Sequence, residues 1–220
     1  MKVNLWPAIL LCAALPAMAA QRAAPQVCAP YTNAITLDFK TLMPPPLYNT
    51  RLNVQGIRNL FREHTDAQTL FALQGATTVK PVRGGYCIYI TRIEAEFGWK
   101  RMDVYVANDF KRDTCEYRAI LDHENQHVGI NNAALKEFAP RMRLALEKIL
   151  ADQQPVFSPD GQAGTDAALE AVQDRMVGYL DQFQSLTAQR NAPLDSQNNY
   201  GETAKLCSNW DGEAPPAGRR

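Results

Sequence analysis

The feature that most constrains this chain is the run Ile120-Leu121-Asp122-His123-Glu124-Asn125-Gln126-His127-Val128-Gly129-Ile130, whose centre reads His-Glu-x-x-His. On an α-helix, residues four apart lie on one face, so His123 and His127 present two imidazoles one turn apart. Imidazoles at that spacing can share one Zn²⁺ at about 2.0–2.1 Å. Glu124 is rotated from the first histidine by about 100°. It flanks the metal without ligating it and is the candidate general base. The pattern works only on a helix, and its surroundings favour one. Asp113-Thr114-Cys115-Glu116 offers a capping side chain and then an acid for the first turn. From there to Leu150 the only glycine is Gly129 and the only proline is Pro140. Ile120, Leu121, Val128, Ile130, Leu135, Phe138, Leu144, Leu146 and Ile149 keep a broadly helical period. Pro140 is expected to kink or end a first segment near Ala139.

The chain starts like an exported protein. In residues 1–19, Lys2 is a short basic region, Leu5 to Leu15 an apolar core and Ala17-Met18-Ala19 a small-residue cleavage site, together a secretory signal. The apolar core is too short to span a bilayer, and no later stretch reads as a membrane span. Cys12 falls inside the signal, which leaves Cys28, Cys87, Cys115 and Cys207. An even number of cysteines in an exported chain implies two disulfides with three possible connectivities. The expected pairs are Cys87–Cys115, bracing the histidine helix, and Cys28–Cys207, joining the ends. The spacing contains no Cys-x-x-Cys pair, so a structural zinc site is not indicated. Lys+Arg and Asp+Glu both number 23, so the net charge is zero and neither a nucleic-acid surface nor a polybasic membrane patch is implied. A length of 220 residues with 46% hydrophobic content supports one domain with a core.

In order, residues 20–32 form an Ala/Pro-rich flexible leader, 33–207 the single domain and 208–220 a disordered tail. Residues 33–40 and 48–54 read as strands, and Ile57 to Glu63 has helical spacing. His64 follows in a polar turn, where a solvated surface role is expected. Tyr86 to Phe97 is the strongest strand, and Gly98-Trp99-Lys100 is expected to turn it back into Met102 to Ala107 as an antiparallel hairpin. Such a hairpin packs against the helix and can receive an extended peptide by strand addition. Residues 152–164 form a polar connection. Thr165-Asp166 then caps a second long helix from Ala167 to about Arg190, with Leu169, Val172, Met176, Tyr179, Leu180 and Phe183 as a core-facing stripe. The expected fold class is α+β and zincin-like: an N-terminal, mainly antiparallel sheet followed by two long helices, the first carrying the His-Glu-x-x-His motif.

A catalytic zinc takes three protein ligands and keeps one open position. Glu137 lies ten residues past His127, about 15 Å along the helix axis, and cannot reach the same ion. The third ligand must come from another element: Glu170 or Asp174 on the second helix, or Asp195 or Tyr200 after it.

The chain resembles a bacterial family of secreted zinc-dependent proteases, so assigned by prediction and filed mainly as a domain of unknown function. The likeness runs from about Leu52 to Gly201, through Val54-Gln55-Gly56, Gln74-Gly75-Ala76-Thr77, Cys87, Trp99 and the run from His123 to Ile130. Near its C-terminus the family tends to show Asp, Thr and then His-Gly, where this chain has Asp195, Asn198 and Tyr200-Gly201. The resemblance implies an exported zinc metallopeptidase acting on a peptide or protein. His123 and His127 would be ligands and Glu124 the base. It puts Tyr200 first as third ligand or oxyanion stabiliser, Asp195 second and the helix acids last. The rival expectation is a non-catalytic envelope binding module with a structural or vestigial metal.

Overall fold

The computed structural model describes residues 28–60, 65–153, 155–208 and 210. The expected signal at 1–19, residues 20–27 of the leader, His64, and residues 209 and 211–220 of the tail lie outside them.

One strand organises the fold. β1 (Thr36–Leu42), β2 (Leu47–Asn49), α1 (Val54–Leu60), β3 (Thr65–Val82) and β4 (Gly85–Tyr105) precede the long helix α2 (Cys115–Ala151). Then come β5 (Val156–Ser158), α3 (Gly161–Asn191) and α4 (Gln197–Lys205). β4 is 21 residues long and pairs along its length with antiparallel β3 across a turn at Arg83-Gly84, where Gly84 has φ 85°. Its other edge is covered in relay: β5 antiparallel against Tyr86 to Ile88, β1 parallel against Arg92 to Gly98, and β2 parallel against Asp103 to Tyr105.

The core residues of β4 are Ile88 and Ile90, then Ile93, Ala95, Phe97 and Trp99, then Met102. Strict alternation cannot place all of these on one face. The ladder shifts register between Ala76 and Thr77 and between Gln68 and Thr69, which leaves Thr91 and Lys100 of β4 as extra residues. Each extra residue turns the following alternation over. The expected hairpin turn at Gly98-Trp99-Lys100 is therefore a bulge inside one continuous strand. The true hairpin partner is β3, which the sequence pattern does not mark. Gly98 has φ 148°, and a Cβ there would lie 2.1 Å from the Leu42 carbonyl oxygen at the end of β1. Only glycine lets β1 dock at that point.

The expected zincin-like arrangement is corrected in three respects. β1, β2 and β4 run the same way, so the five-stranded sheet is mostly parallel in strand direction rather than mainly antiparallel. β5 enters the sheet from between the long helices, so the sheet is not wholly N-terminal. The described residues contain four helices rather than two. The reason is topological: alternation shows which face of a strand is buried, whereas strand direction depends on how the intervening chain returns to β4.

α2 starts where expected. Thr114 caps it, its Oγ1 accepting from the Tyr117 amide at 3.2 Å. The helix then continues through Pro140 to Ala151, without the break expected near Ala139. α3 begins at Gly161 rather than Ala167, capped by Asp160 Oδ1 on the Ala163 amide at 2.8 Å. Its stripe packs as the spacing predicts, with Val172, Met176 and Phe183 buried and Leu169, Tyr179 and Leu180 against the same core. Phe183 meets Phe97 edge-on at 4.9 Å and lies 5.2 Å from Trp99 and 5.5 Å from Phe138. Truncating such a buried ring costs about 3–5 kcal/mol.

The disulfides are Cys28–Cys87 and Cys115–Cys207, not Cys87–Cys115 and Cys28–Cys207. Cys87 alternates with Ile88, so it projects from the sheet face away from the helices and clusters with Cys28, Tyr31 and Tyr89. It cannot reach the first turn of α2. Cys115 instead closes on Cys207, just beyond α4. No described helix is long and apolar enough to cross a membrane. The two disulfides are compatible with an exported protein.

Candidate metal centre

His123, Glu124, His127 and Asn131 all lie on the buried stripe of α2, in line with Ala134, Leu135 and Phe138 of the core. The helix thus carries two imidazoles and a carboxylate into the interior, where polar groups need partners. The two imidazole centroids are 5.0 Å apart. The third member comes from the short turn between α3 and α4. The Leu194 and Asp195 amides both donate to the Asn191 carbonyl, at 2.9 and 3.2 Å, and Leu194 is buried. This turn sets Asp195 Oδ1 3.0 Å from His127 Nε2. One ligand atom each from His123, His127 and Asp195 lie within 4.8 Å of one another, so the group could hold a metal ion.

Tyr200, on the first turns of α4, reaches the same place. Its ring stacks on His123 at 5.1 Å and 29°, and its hydroxyl donates to Asp195 Oδ1 at 3.3 Å. The two leading third-ligand candidates are therefore neighbours at one centre. Glu170 and Asp174 are exposed on α3 and do not belong to the group.

His127 is held in a defined state by residues the sequence does not signal. The Asn191 Nδ2 group donates to the Thr187 carbonyl at 2.9 Å and to Asn131 Oδ1 at 2.8 Å. A carbonyl cannot donate, so the amide nitrogen must face Thr187 and the Asn191 oxygen must face His127 Nδ1, 2.8 Å away. Nδ1 therefore carries a proton and Nε2 points at Asp195. Burial is the largest influence on this imidazole and lowers its pKa, but its hydrogen bonds to Asp195 and Asn191 reverse the balance and leave it raised.

His123 is in the opposite condition. Burial pushes its pKa down, against the pull of the Glu124 carboxylate, so the neutral imidazole is favoured. Neither of its ring nitrogens has a hydrogen-bond partner, and the Asn199 amide nearby does not meet hydrogen-bond geometry. A buried imidazole without partners, facing a second imidazole and a carboxylate, has the donor set of a divalent-cation site.

Glu124 is 3% exposed, and its Oε2 accepts from the Thr65 hydroxyl at 2.6 Å. Thr65 is the first residue of β3 and pairs with Val104, which pairs in turn with Tyr48 of β2. The Tyr48 hydroxyl donates to Asn125 Oδ1 at 2.7 Å. One row across the sheet thus supports two consecutive residues of the motif. Thr65 carries no signal in the sequence, because it acts only once β3 is paired.

No protein-family model, curated protein or solved structure matches this chain.

Proposed function

We propose that the chain is an exported zinc-dependent hydrolase of peptide bonds. The observation that carries the reading is the convergence of Asp195 on His123 and His127 beside a buried Glu124. Zn²⁺ suits two imidazoles and one carboxylate. When bound, it supplies Lewis-acid polarisation of a carbonyl and lowers the pKa of a water. The residues of the chain do the remainder. Glu124 takes a proton from the attacking water and returns it to the leaving amine. The Thr65 hydroxyl fixes the rotation of that carboxylate. Asn191 holds the proton on Nδ1 of His127, so its Nε2 lone pair faces the centre. Tyr200, stacked on His123, donates to an oxyanion once Asp195, its acceptor in the metal-free chain, turns to the metal. His123, Glu124 and His127 are all buried whereas Asp195 is about one-third exposed, so substrate enters on the Asp195 side. The resemblance to secreted zinc proteases through the His123 to Ile130 run supports the same reading.

The test is metal content and peptide hydrolysis of chelator-free protein. Near-stoichiometric zinc that persists in Glu124→Gln, with hydrolysis lost, and that disappears in His127→Ala is the expected result. An intact wild-type fold that binds no zinc overturns the proposal, leaves His127 and Asp195 as an ordinary ion pair and favours the binding-module alternative.

A further inference from the structure

A second feature lies on the other face of the sheet. The extra residue at Lys100 turns Met102 into the core and leaves Arg101 and Asp103 facing away from it. There they line a cleft of about 320 Å³ together with Leu47, Thr50, Arg51 and Arg112. Three guanidinium groups line it with one carboxylate, and a second, Asp66, lies across the ladder from Asp103 and acts on Arg101, in a chain whose net charge is zero. The cleft is also built. The Asp103 side chain is only 4% exposed and accepts from Arg101 Nε at 2.6 Å. A hold through Nε leaves both terminal amino groups of Arg101 for another acceptor. Arg112 is tied through Nη2 to the Thr50 hydroxyl at 3.3 Å. Among the described residues the Arg51 side chain has no ion-pair or hydrogen-bond partner. Leu47 is half-exposed on the same wall, and among the described residues β2 pairs with β4 alone, so its outer edge is open.

We propose that this cleft binds an acidic segment of a polypeptide in extended form. Guanidinium forks match carboxylates two bonds at a time, and two of the three arginines have no acid of their own here. The open edge of β2 offers main-chain hydrogen bonds and Leu47 an apolar contact. A small inorganic oxyanion would use the arginines and neither of these. The assignment does not depend on the metal centre, although Tyr48, which also lines the cleft, donates to Asn125 of the motif.

The test is fluorescence anisotropy of a labelled peptide of alternating Glu and Leu, beside a Lys-for-Glu counterpart, on the full chain. The double variant Arg51→Glu/Arg112→Glu is used because both side chains are exposed. Arg101 is left intact, since its loss would strand buried Asp103. Expected are binding of the acidic peptide alone, weakened roughly tenfold or more by the double variant. Raising salt from about 0.05 to about 0.3 M should also weaken it, and His127→Ala should leave it unchanged. The proposal is overturned by equal binding of the Lys peptide or by wild-type affinity in the double variant. Loss of binding in His127→Ala also overturns it, placing the peptide at the metal centre. So does tight binding of inorganic phosphate with no binding of the acidic peptide, which would make the cleft a phosphate site.

Discussion

Replacing Asn191 by leucine separates a tuned metal centre from a merely buried histidine. The substitution deletes the acceptor of His127 Nδ1–H at 2.8 Å and the donors to Asn131 Oδ1 and the Thr187 carbonyl at 2.8 and 2.9 Å. His127 is 7% exposed, so water cannot readily replace the lost acceptor. An unpaired buried N–H costs about 1–3 kcal/mol, and loss of the partner behind a metal-bound imidazole typically costs 10–100-fold in affinity. Zinc affinity of Asn191→Leu, measured by competition with a chromophoric chelator, should fall by roughly that factor. Asn191→Asp gives the contrast. It still accepts from Nδ1–H, so affinity holds or rises, but it can no longer donate to Thr187 or Asn131. Urea unfolding of the metal-free Asp variant should show a loss of about 1–3 kcal/mol. If the Leu variant keeps zinc affinity within about twofold of wild type, against the loss expected, or if both variants lose affinity in step with stability, the positioning role assigned to Asn191 is wrong.

Four further outcomes follow from the geometry. Thr65→Val removes the donor to Glu124 Oε2 and should reduce turnover roughly tenfold or more, with zinc content unchanged, in parallel peptidase and metal assays. Gly98→Ala forces a Cβ against the Leu42 carbonyl at a φ of 148° and should lower the urea-unfolding free energy by at least about 2 kcal/mol; an unchanged midpoint would mean β1 does not dock there. Zinc must displace the proton that the raised pKa of His127 retains, so apparent zinc affinity should decline on acidification already above the ordinary value of 6.5. In the metal-free fold, the stabilisation from His127 is fully present below that value and is lost as pH rises through the raised one. His123, with its lowered pKa, acts in the opposite sense, its contribution being lost as pH falls. Comparing stability against pH in wild type and Asp195→Asn tests the His127 contribution, which the substitution should reduce, Asn191 and Glu124 still raising this pKa.

What the sequence determined by itself is what a single helix can express. His123 and His127 share a face because four residues make about one turn, and Thr114 starts α2 because its hydroxyl reaches the amide three residues on. The α3 stripe from Leu169 to Phe183 is core because its spacing keeps one side of the helix apolar. These relations lie within a few residues of one another, so composition and spacing suffice. The tertiary structure decided the rest. Asp195 stood among four candidates until the turn after α3 carried it to His127. Thr65, Asn131 and Asn191 had no signal, since each serves the centre through a partner at least sixty or so positions away or on another element. Four cysteines implied two bridges, but which pairs formed depended on the face from which Cys87 leaves β4. Thr91 lay unmarked inside the strand read from Tyr86 to Phe97, and Gly98-Trp99-Lys100 read locally as a turn. Only the ladder to β3 and the approach of β1 make them parts of one continuous strand. A strand has no internal hydrogen bonds, so its partners, direction and register come from distant chain, whereas a helix satisfies its own backbone and shows its pattern locally.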